Sequence, residues 1–543
     1  MRRTCDTKSY QVGGESVAVF SPDSMTRTIA APTSEVEAAL GEALDWQLSK
    51  LTGSQAAASP VQSLVTLEVQ SDTLDLDLDT KEDYELRVRC HEDATNINIV
   101  AETYFGARHA LETLFQLVFY DSLSLSFLLS CDVAISDGPF YRHRGVMLDT
   151  ARSVHFTDFT VAILLTLASF CRNFVSVDMI KTLIDSLSYS KLNVLHWHLT
   201  DTQSFPLYLD SLPMFAEYGA YSPEMTYNKV RHTLTSDLSD NLSCLVGGGG
   251  DRAVRGPARG AGGARAGLPR PRGRGLGGRG PGLHSVRQQG ERRRHQAVNT
   301  AWYCQEPWEE WCVEPPCGQL NPTRAGMYEV LETIYRELAA MFGTKQLHLG
   351  GDEIHIGCWN SSQEVASWLE EHGRGREEAD FMYLWHHYLQ QSLARVQRAG
   401  LRADTAQLPR LVYWTNGLTK PDYIHYLDPG LLAVQVWSSG QDTADPTIKT
   451  VAEAGFKMIF SNYDATYLDC GFGGWVSAGN NWCSPYKEWQ LQHQNDPYRW
   501  EQGAAAAGHR AHFAGCLRCA ASPTWRRRTA TCSAARSRSG QSR

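Results

Sequence analysis

Apolar and polar positions follow two rhythms along this chain, and the change comes near residue 139. In the first part, Leu64–Val69 and Tyr84–Cys90 alternate apolar and polar residues, the period of a half-buried strand. Val36–Leu51 and Glu102–Phe119 repeat at helical spacing, the second with Leu111, Leu114, Leu117 and Val118 on its apolar side. Together they predict a small α/β unit over residues 22–120.

Beyond residue 139, short apolar runs end in acids or aromatics. They are Arg144–Asp149, Val194–Asp201, Gln346–Glu353, Leu411–Trp414, Leu432–Trp437 and Lys457–Asn462. Helical stretches such as Asp178–Tyr189 and Asp380–Arg398 lie between them. Apolar strands with polar C-terminal ends, alternating with helices, predict a (β/α)8 TIM barrel whose active-site face collects those ends. The expected fold class is α/β: such a barrel preceded by a small α/β N-terminal domain. The expected limits are 1–138 for the N-terminal domain, 139–502 for the barrel and 503–543 for a basic tail.

Three segments break the pattern. Residues 153–172 include the apolar run Val161–Cys171, about half of the roughly 20 residues that a bilayer span needs. Within 246–298, the stretch from Arg252 to Gly290 has no Asp, Glu or Lys. Residues 503–543 have no Asp, Glu, Lys, Val or Ile. Neither basic stretch reads as a buried strand, so strands 3 and 8 of the barrel are expected to be disrupted. Gly/Arg/Ala/Pro composition fits a linker or an RNA-binding tail. It also fits out-of-frame translation of GC-rich coding sequence, the reading favoured here because each stretch falls where the barrel needs a strand.

The 543 residues, 42% hydrophobic, can bury a sizeable core and exclude a small disulfide-stapled peptide or a wholly disordered chain. The net charge of -9 hides the two basic stretches; outside them 31 bases face 59 acids, which argues against nucleic-acid binding. Fifteen Trp and 22 Tyr offer flat faces for sugar rings or simply a large aromatic core. Cys312 and Cys317 bracket a tight loop, and Cys470 and Cys483 flank a Gly- and Trp-rich one, pairs that fit disulfides in an oxidising compartment. Cys304 and Cys358 complete the candidate disulfide set, and Asn241 and Asn360 head glycosylation sequons. The first fifteen residues carry no apolar signal core. The expectation is a true N-terminus further upstream and an extracellular, lysosomal or membrane-associated secretory location.

Three motifs carry a resemblance: Leu148-Asp149-Thr150-Ala151-Arg152, then Leu195-His196-Trp197-His198-Leu199-Thr200-Asp201 with Ser204-Phe205-Pro206, then His348-Leu349-Gly350-Gly351-Asp352-Glu353. In this order they resemble family-20 glycoside hydrolases, the β-N-acetylhexosaminidases. The Cys312–Pro322 run and Tyr467-Leu468-Asp469-Cys470 resemble the arthropod branch, chitooligosaccharidolytic and fused-lobes types included. The chain departs from the family pattern in three places. Residues 153–172 intervene after the first motif, the Asp-x-Pro-x-His of strand three is absent from 231–300, and the Gly-Glu-Ala-x-x-Trp-x-Glu of strand eight is missing after Gln502.

The resemblance implies a retaining mechanism in which the substrate's own 2-acetamido oxygen attacks the anomeric carbon and forms an oxazolinium ion. Glu353 is then general acid and later base, and Asp352 orients the acetamido group and stabilises its growing positive charge. Neighbours on a regular strand point to opposite faces, so both acids reach one ligand only where the strand ends, which Gly350-Gly351 permits. Tyr467 would donate to the acetamido oxygen, while Asp469 and Arg152 would hold sugar hydroxyls. Trp414, Trp437 and Trp482 would wall the acetamido group, and Glu314 would border the second sugar.

His196 and His198 share a face of their strand; a metal pair is the sharper reading, structural hydrogen bonding the plainer one. The Cys516-x-x-Cys519 pair lies in the basic tail and is set aside. No metal or organic cofactor is implied. The substrates would be β-linked N-acetylglucosamine or N-acetylgalactosamine oligosaccharides or glycoconjugates, such as chitooligosaccharides and N-glycans. The resemblance leaves a homodimer open. Two rival functions are a catalytically impaired sugar-binding relic of the same fold and an RNA binder acting through residues 252–294.

Overall fold

The computed structural model describes residues 9–12, 16–51, 61–76, 80–151, 174–201, 204–220, 225–227, 243–248, 310–312, 319–342, 346–401, 411–439, 446–468, 487–495 and 513–514. Nine strands come first: β1 (Ser9–Val12), β2 (Val17–Phe20), β3 (Met25–Ala30), β4 (Gln62–Val69), β5 (Tyr84–Cys90), β6 (Ala94–Ala101), β7 (Val118–Asp121), β8 (Ser126–Ser130) and β9 (Val133–Asp137). They form a six-stranded sheet in the order β1-β9-β5-β6-β4-β3 and a three-stranded sheet in the order β2-β8-β7.

Alternation sets the inward face of the larger sheet. Leu86 lies opposite Ile99 and Val88 opposite Ile97, all fully buried, as are Val65 and Leu67 of β4. Helices Ser34–Ser49 and Tyr104–Gln116 cover that face with Val36, Leu40 and Leu44 from one and Ala107, Leu111 and Leu114 from the other. Each starts at a threonine hydroxyl that accepts a backbone N–H, Thr33 from Val36 and Thr103 from Gly106, a cap that contributes about 1 kcal/mol. The second helix stops at Gln116, short of the expected Phe119, because Val118 begins β7 opposite Leu129.

Eight further strands form one parallel sheet in chain order. They are β10 (Gly145–Asp149), β11 (Val194–Thr200), β12 (Ser243–Gly248), β13 (Leu347–His348), β14 (Leu411–Trp414), β15 (Leu432–Val436), β16 (Lys457–Phe460) and β17 (Phe513–Ala514). Helices Val177–Tyr189, Ala325–Phe342, Glu378–Arg398 and Pro446–Glu453 provide crossovers that parallel strands require. Every residue of β11, β14 and β15 is buried, as expected of strands covered on both faces. Val194, Val412, Ala433 and Ile459 form one cluster, so β11 meets β14, β15 and β16 across the concave side and the sheet curls. Among the described residues β17 and β10 are not paired.

The third and eighth positions are occupied by short strands. The third strand starts at Ser243, upstream of the Arg/Gly stretch, and pairs on both sides, with Gly247 between His198 and His348. The eighth is drawn from the basic tail, where Phe513 and Ala514 pair with Met458 and Ile459. Parallel pairing needs only backbone N–H and C=O groups, which glycine and alanine supply without a patterned side chain. The rest of both stretches, residues 153–172 and Asn241 lie outside the described residues. No described helix is long and apolar enough to cross a membrane.

A buried polar seam joins the two cores. Arg144, just before β10, is 1% exposed and grips Glu82 with both ends of its guanidinium, at 2.9 and 2.7 Å. It also donates to the Tyr141 and Lys191 carbonyls. His109 lies 3.7 Å from the same carboxylate, and burial together with Arg144 holds its pKa well below the usual range. Lys191 donates to the Tyr84 hydroxyl at 2.8 Å, Arg108 to Ser188, and Trp46 stacks on Tyr189.

A disulfide that the sequence does not announce, Cys90–Cys131, ties the end of β5 to the residue that directly follows β8. Its 41-residue separation hid the pair, while the pairing of Val88 with Val133 brings the cysteines together. Cys312 is also disulfide-bonded. Cys304, Cys317, Cys470 and Cys483 lie outside the described residues, and Cys358 is buried.

Candidate active site

The C-terminal ends of the eight-stranded sheet gather most of the singled-out residues that can be seen. Asp352 and Glu353 follow β13, Trp414 ends β14, Trp437 directly follows β15, and Tyr467 lies seven residues beyond β16. Arg152 comes three residues after β10, but it lies outside the described residues with Asp469, Trp482 and Glu314.

The acid pair stands on an irregular turn. β13 covers only two residues where an eight-residue strand was expected, because Gly350 (φ 68°), Gly351 (φ 82°) and Glu353 (φ 55°) all occupy the left-handed region. That conformation is open to glycine and strained for glutamate. A Cβ on Gly351 would lie 1.9 Å from the Tyr413 ring, so space as well as φ requires glycine there. Both acids are half-buried at the mouth of the sheet. The turn therefore breaks strand alternation at the place where two adjacent carboxyls can face one ligand.

Three hydrogen bonds pin this turn. The Gly350 N–H donates to His348 Nδ1 at 2.9 Å. The Gly350 carbonyl accepts from the Trp414 N–H at 3.1 Å. The Gly351 carbonyl accepts from Asn416 Nδ2 at 2.6 Å, and Asn416 also caps the short turn Gly417–Thr419. The first and third use side chains, His348 and Asn416, that no sequence pattern marks as functional. Their signal was position, two residues before and two residues after elements that were recognised.

Beneath the turn lies a buried aromatic stack. The His348 ring lies 4.8 Å from His196 and 4.7 Å from Trp414, both measured between centroids. His196 of β11, His348 of β13 and Gln435 of β15 come from alternate strands, as do the side-chain layers that fill parallel barrels. Burial holds His196 well below its usual pKa and pushes His348 down to about 3 and His143 to about 4, so these rings are neutral. Trp414 is 5% exposed. Trp437 is partly exposed, its indole N–H held by the Thr415 carbonyl at 2.9 Å.

The two histidines of β11 behave differently. His198 Nε2 lies 3.3 Å from Asp201 Oδ2, both residues buried, which is the structural hydrogen bonding expected. His196 stacks instead, and neither of its ring nitrogens has a hydrogen-bond partner among the described residues. Among the described residues no group of three His, Cys, Asp or Glu could hold a metal ion. Asp201 closes its strand motif as Asp149 closes that of β10.

Tyr467 departs from its expected setting. The four-residue helix Tyr463–Thr466 separates it from β16. β16 ends at Phe460, Asn462 opens that helix, and Tyr467 resumes extended backbone with its carbonyl accepting from Lys487 Nζ.

Comparison with known proteins gives the arrangement its kinship. The family model described as the glycosyl hydrolase family 20 catalytic domain matches residues 165–243 and 285–530. One described as beta-acetyl hexosaminidase like matches residues 8–117. Chitooligosaccharidolytic beta-N-acetylglucosaminidase of Bombyx mori is 38% identical over 427 residues, covering 77% of this chain and 61% of its own length. The probable beta-hexosaminidase fdl of Drosophila melanogaster is 32% identical over 438 residues, 80% of this chain and 55% of its own. The chain thus spans about three-fifths of the length of the curated relatives it matches.

Among solved structures, the GH20 exo beta-N-acetylglucosaminidase of Vibrio harveyi, in complex with N-acetylglucosamine, aligns with a TM-score of 0.58 at 19% identity, over 91% of this chain and 66% of its own. The GH20 beta-N-acetylhexosaminidase of Streptomyces coelicolor A3(2) aligns with a TM-score of 0.54 at 19% identity, over 95% and 86%. At such identities the likeness concerns fold, an N-terminal domain followed by a TIM-barrel domain. Sequence identity to the insect proteins and the family match over more than half of the residues carry the stronger statement: the chain belongs to glycosyl hydrolase family 20.

Proposed function

We propose that this protein is a retaining exo-β-N-acetylhexosaminidase that removes terminal β-linked N-acetylglucosamine or N-acetylgalactosamine from chitooligosaccharides or N-glycans. The observation that carries the reading is the left-handed turn at Gly350–Glu353, which presents two neighbouring carboxyls at the C-terminal mouth of a parallel sheet in a family-20 chain. A glycosidic oxygen leaves as an alcohol only if it is protonated, and a carboxylic acid beside it can supply that proton. Glu353 is the proton donor and afterwards the base that activates water. Asp352 holds the acetamido N–H, so that the acetamido oxygen closes on the anomeric carbon and forms the cyclic oxazolinium ion. No protein nucleophile is required.

Tyr467 donates to the acetamido oxygen. Arg152 and Asp469 hold hydroxyls of the terminal sugar, and Glu314 borders the next one. Trp437 and Trp482 wall the acetamido pocket with Trp414, whose burial against His348 makes it the floor of that wall. Of the proposed limits 1–138, 139–502 and 503–543, the first is supported by two separate hydrophobic cores, one of residues 20–133 and one of residues 141–460, while the pairing of Phe513–Ala514 with β16 extends the barrel sheet past 502. We read strands three and eight as departures from the family pattern, since Ser243–Gly248 carries neither carboxylate nor histidine and the eighth strand has two residues. A secretory-pathway location, extracellular or lysosomal, is supported by the Cys90–Cys131 disulfide and by exposed Asn360 at the head of its sequon. A homodimer is part of the proposal.

The mechanism demands an acetamido group on the substrate. The protein is expected to release p-nitrophenol from p-nitrophenyl N-acetyl-β-glucosaminide and not from p-nitrophenyl β-glucoside, which lacks the internal nucleophile. Equal turnover of both, or of neither by a folded sample, rejects the proposal.

A further inference from the structure

The pinned turn depends on one proton position. A neutral imidazole carries one N–H and one bare nitrogen. His348 Nδ1 accepts the Gly350 N–H at 2.9 Å, so Nδ1 is bare and Nε2 carries the proton. Ring position is fixed by packing against His196 and Trp414, whose own rings lie 6.0 Å apart, so that the three form a triangle. Nε2 points into the interior, where among the described residues it has no hydrogen bond of good geometry, although the Gln435 side chain faces it closely enough to favour a protonated nitrogen. The Gly350 N–H is thereby the one strong bond that the ring makes there, and it lies three residues from Glu353.

We propose that His348 is a positioning residue for the acid pair: packed against His196 and Trp414 as its Nε2–H tautomer, it holds the Gly350 amide and so fixes the left-handed turn that aims Asp352 and Glu353. This inference rests on the reading of those two acids as the catalytic pair. Three of the residues following His348 occupy left-handed backbone, including a glutamate, a residue type that this region seldom accommodates. Such a turn persists only where its surroundings over-determine it. The carbonyl contacts from Trp414 and Asn416 hold its far side, and His348 holds the entry. Burial keeps the ring neutral to about pH 3, so the bond stays in place across the working range of a carboxylic acid catalyst.

The experiment compares His348→Ala with His348→Asn in the full chain. Asparagine Oδ1 sits where Nδ1 sits and can accept the Gly350 N–H; alanine leaves that N–H buried without a partner. Circular dichroism first confirms that each variant is folded. With p-nitrophenyl N-acetyl-β-glucosaminide, His348→Ala is expected to lower kcat by about tenfold or more through misaimed carboxyls, with KM changed less than about threefold. His348→Asn is expected to recover most of that loss. Loss of an aromatic ring from the stack affects both variants alike, so recovery by asparagine separates the hydrogen bond from packing. Active wild type with His348→Asn as poor as His348→Ala, or with His348→Ala at full kcat, overturns the positioning role alone. Folded wild type without turnover overturns the catalytic reading beneath it.

Discussion

Glu353→Gln is expected to lower kcat by about 10²–10⁴-fold, the usual contribution of a positioned acid–base group. The amide keeps the shape of the side chain and its place on the turn, but it has no proton to give and cannot activate water. The size of the loss should depend on the leaving group. p-Nitrophenol departs with little help, so its release suffers mainly in the second step, where water attacks the oxazolinium ion. Chitobiose must expel a sugar alcohol and needs the proton, so it should suffer more. Steady-state kinetics on both substrates checks this, and a loss that is the same for both would assign Glu353 to the second step only.

Replacing Glu82 by alanine is expected to have the largest effect on stability. Arg144 is 1% exposed and both ends of its guanidinium bind that carboxylate. Removing one partner of a buried pair strands the other without water, at about 3–5 kcal/mol. The double replacement Glu82→Leu with Arg144→Met removes both charges and should recover much of the loss, because the desolvation cost disappears with them. Urea denaturation of the single and double variants measures both quantities. A loss under about 1 kcal/mol for Glu82→Ala, the range of an exposed pair, would show that this seam does not hold the two cores together.

Much of the fold was legible because its signals are periodic. Leu64–Val69, Tyr84–Cys90, Arg144–Asp149 and Leu432–Trp437 alternate or run apolar between breaks, and each lies on an observed strand. Helix Glu378–Arg398 contains the predicted Asp380–Arg398. What was not legible depends on long-range register or on local backbone. The Cys90–Cys131 pair needs the pairing of β5 with β9 to bring it together. The strand expected over Gln346–Glu353 shrank to Leu347–His348, since Gly350 and Gly351 take a conformation that their letters allow but do not announce.

The candidate site divides in the same way. Asp352 and Glu353 announce themselves as paired acids after glycines, and Trp414 and Trp437 as aromatics at strand ends. His348 and Asn416 act through their hydrogen bonds to one turn, which only geometry reveals. Tyr467 kept its place near a strand end, but a helical turn intervenes that the short run Tyr463–Thr466 is too brief to signal by periodicity.

The most direct test of the central claim is calorimetric titration with an N-acetylglucosamine-derived thiazoline, a stable ring that copies the proposed oxazolinium ion. A site built to make that ion should bind the thiazoline at least about 10²-fold more tightly than N-acetylglucosamine itself. Equal affinity for the two would contradict the account, because it would mean that the Asp352–Glu353 turn recognises the sugar and not the cyclised amide.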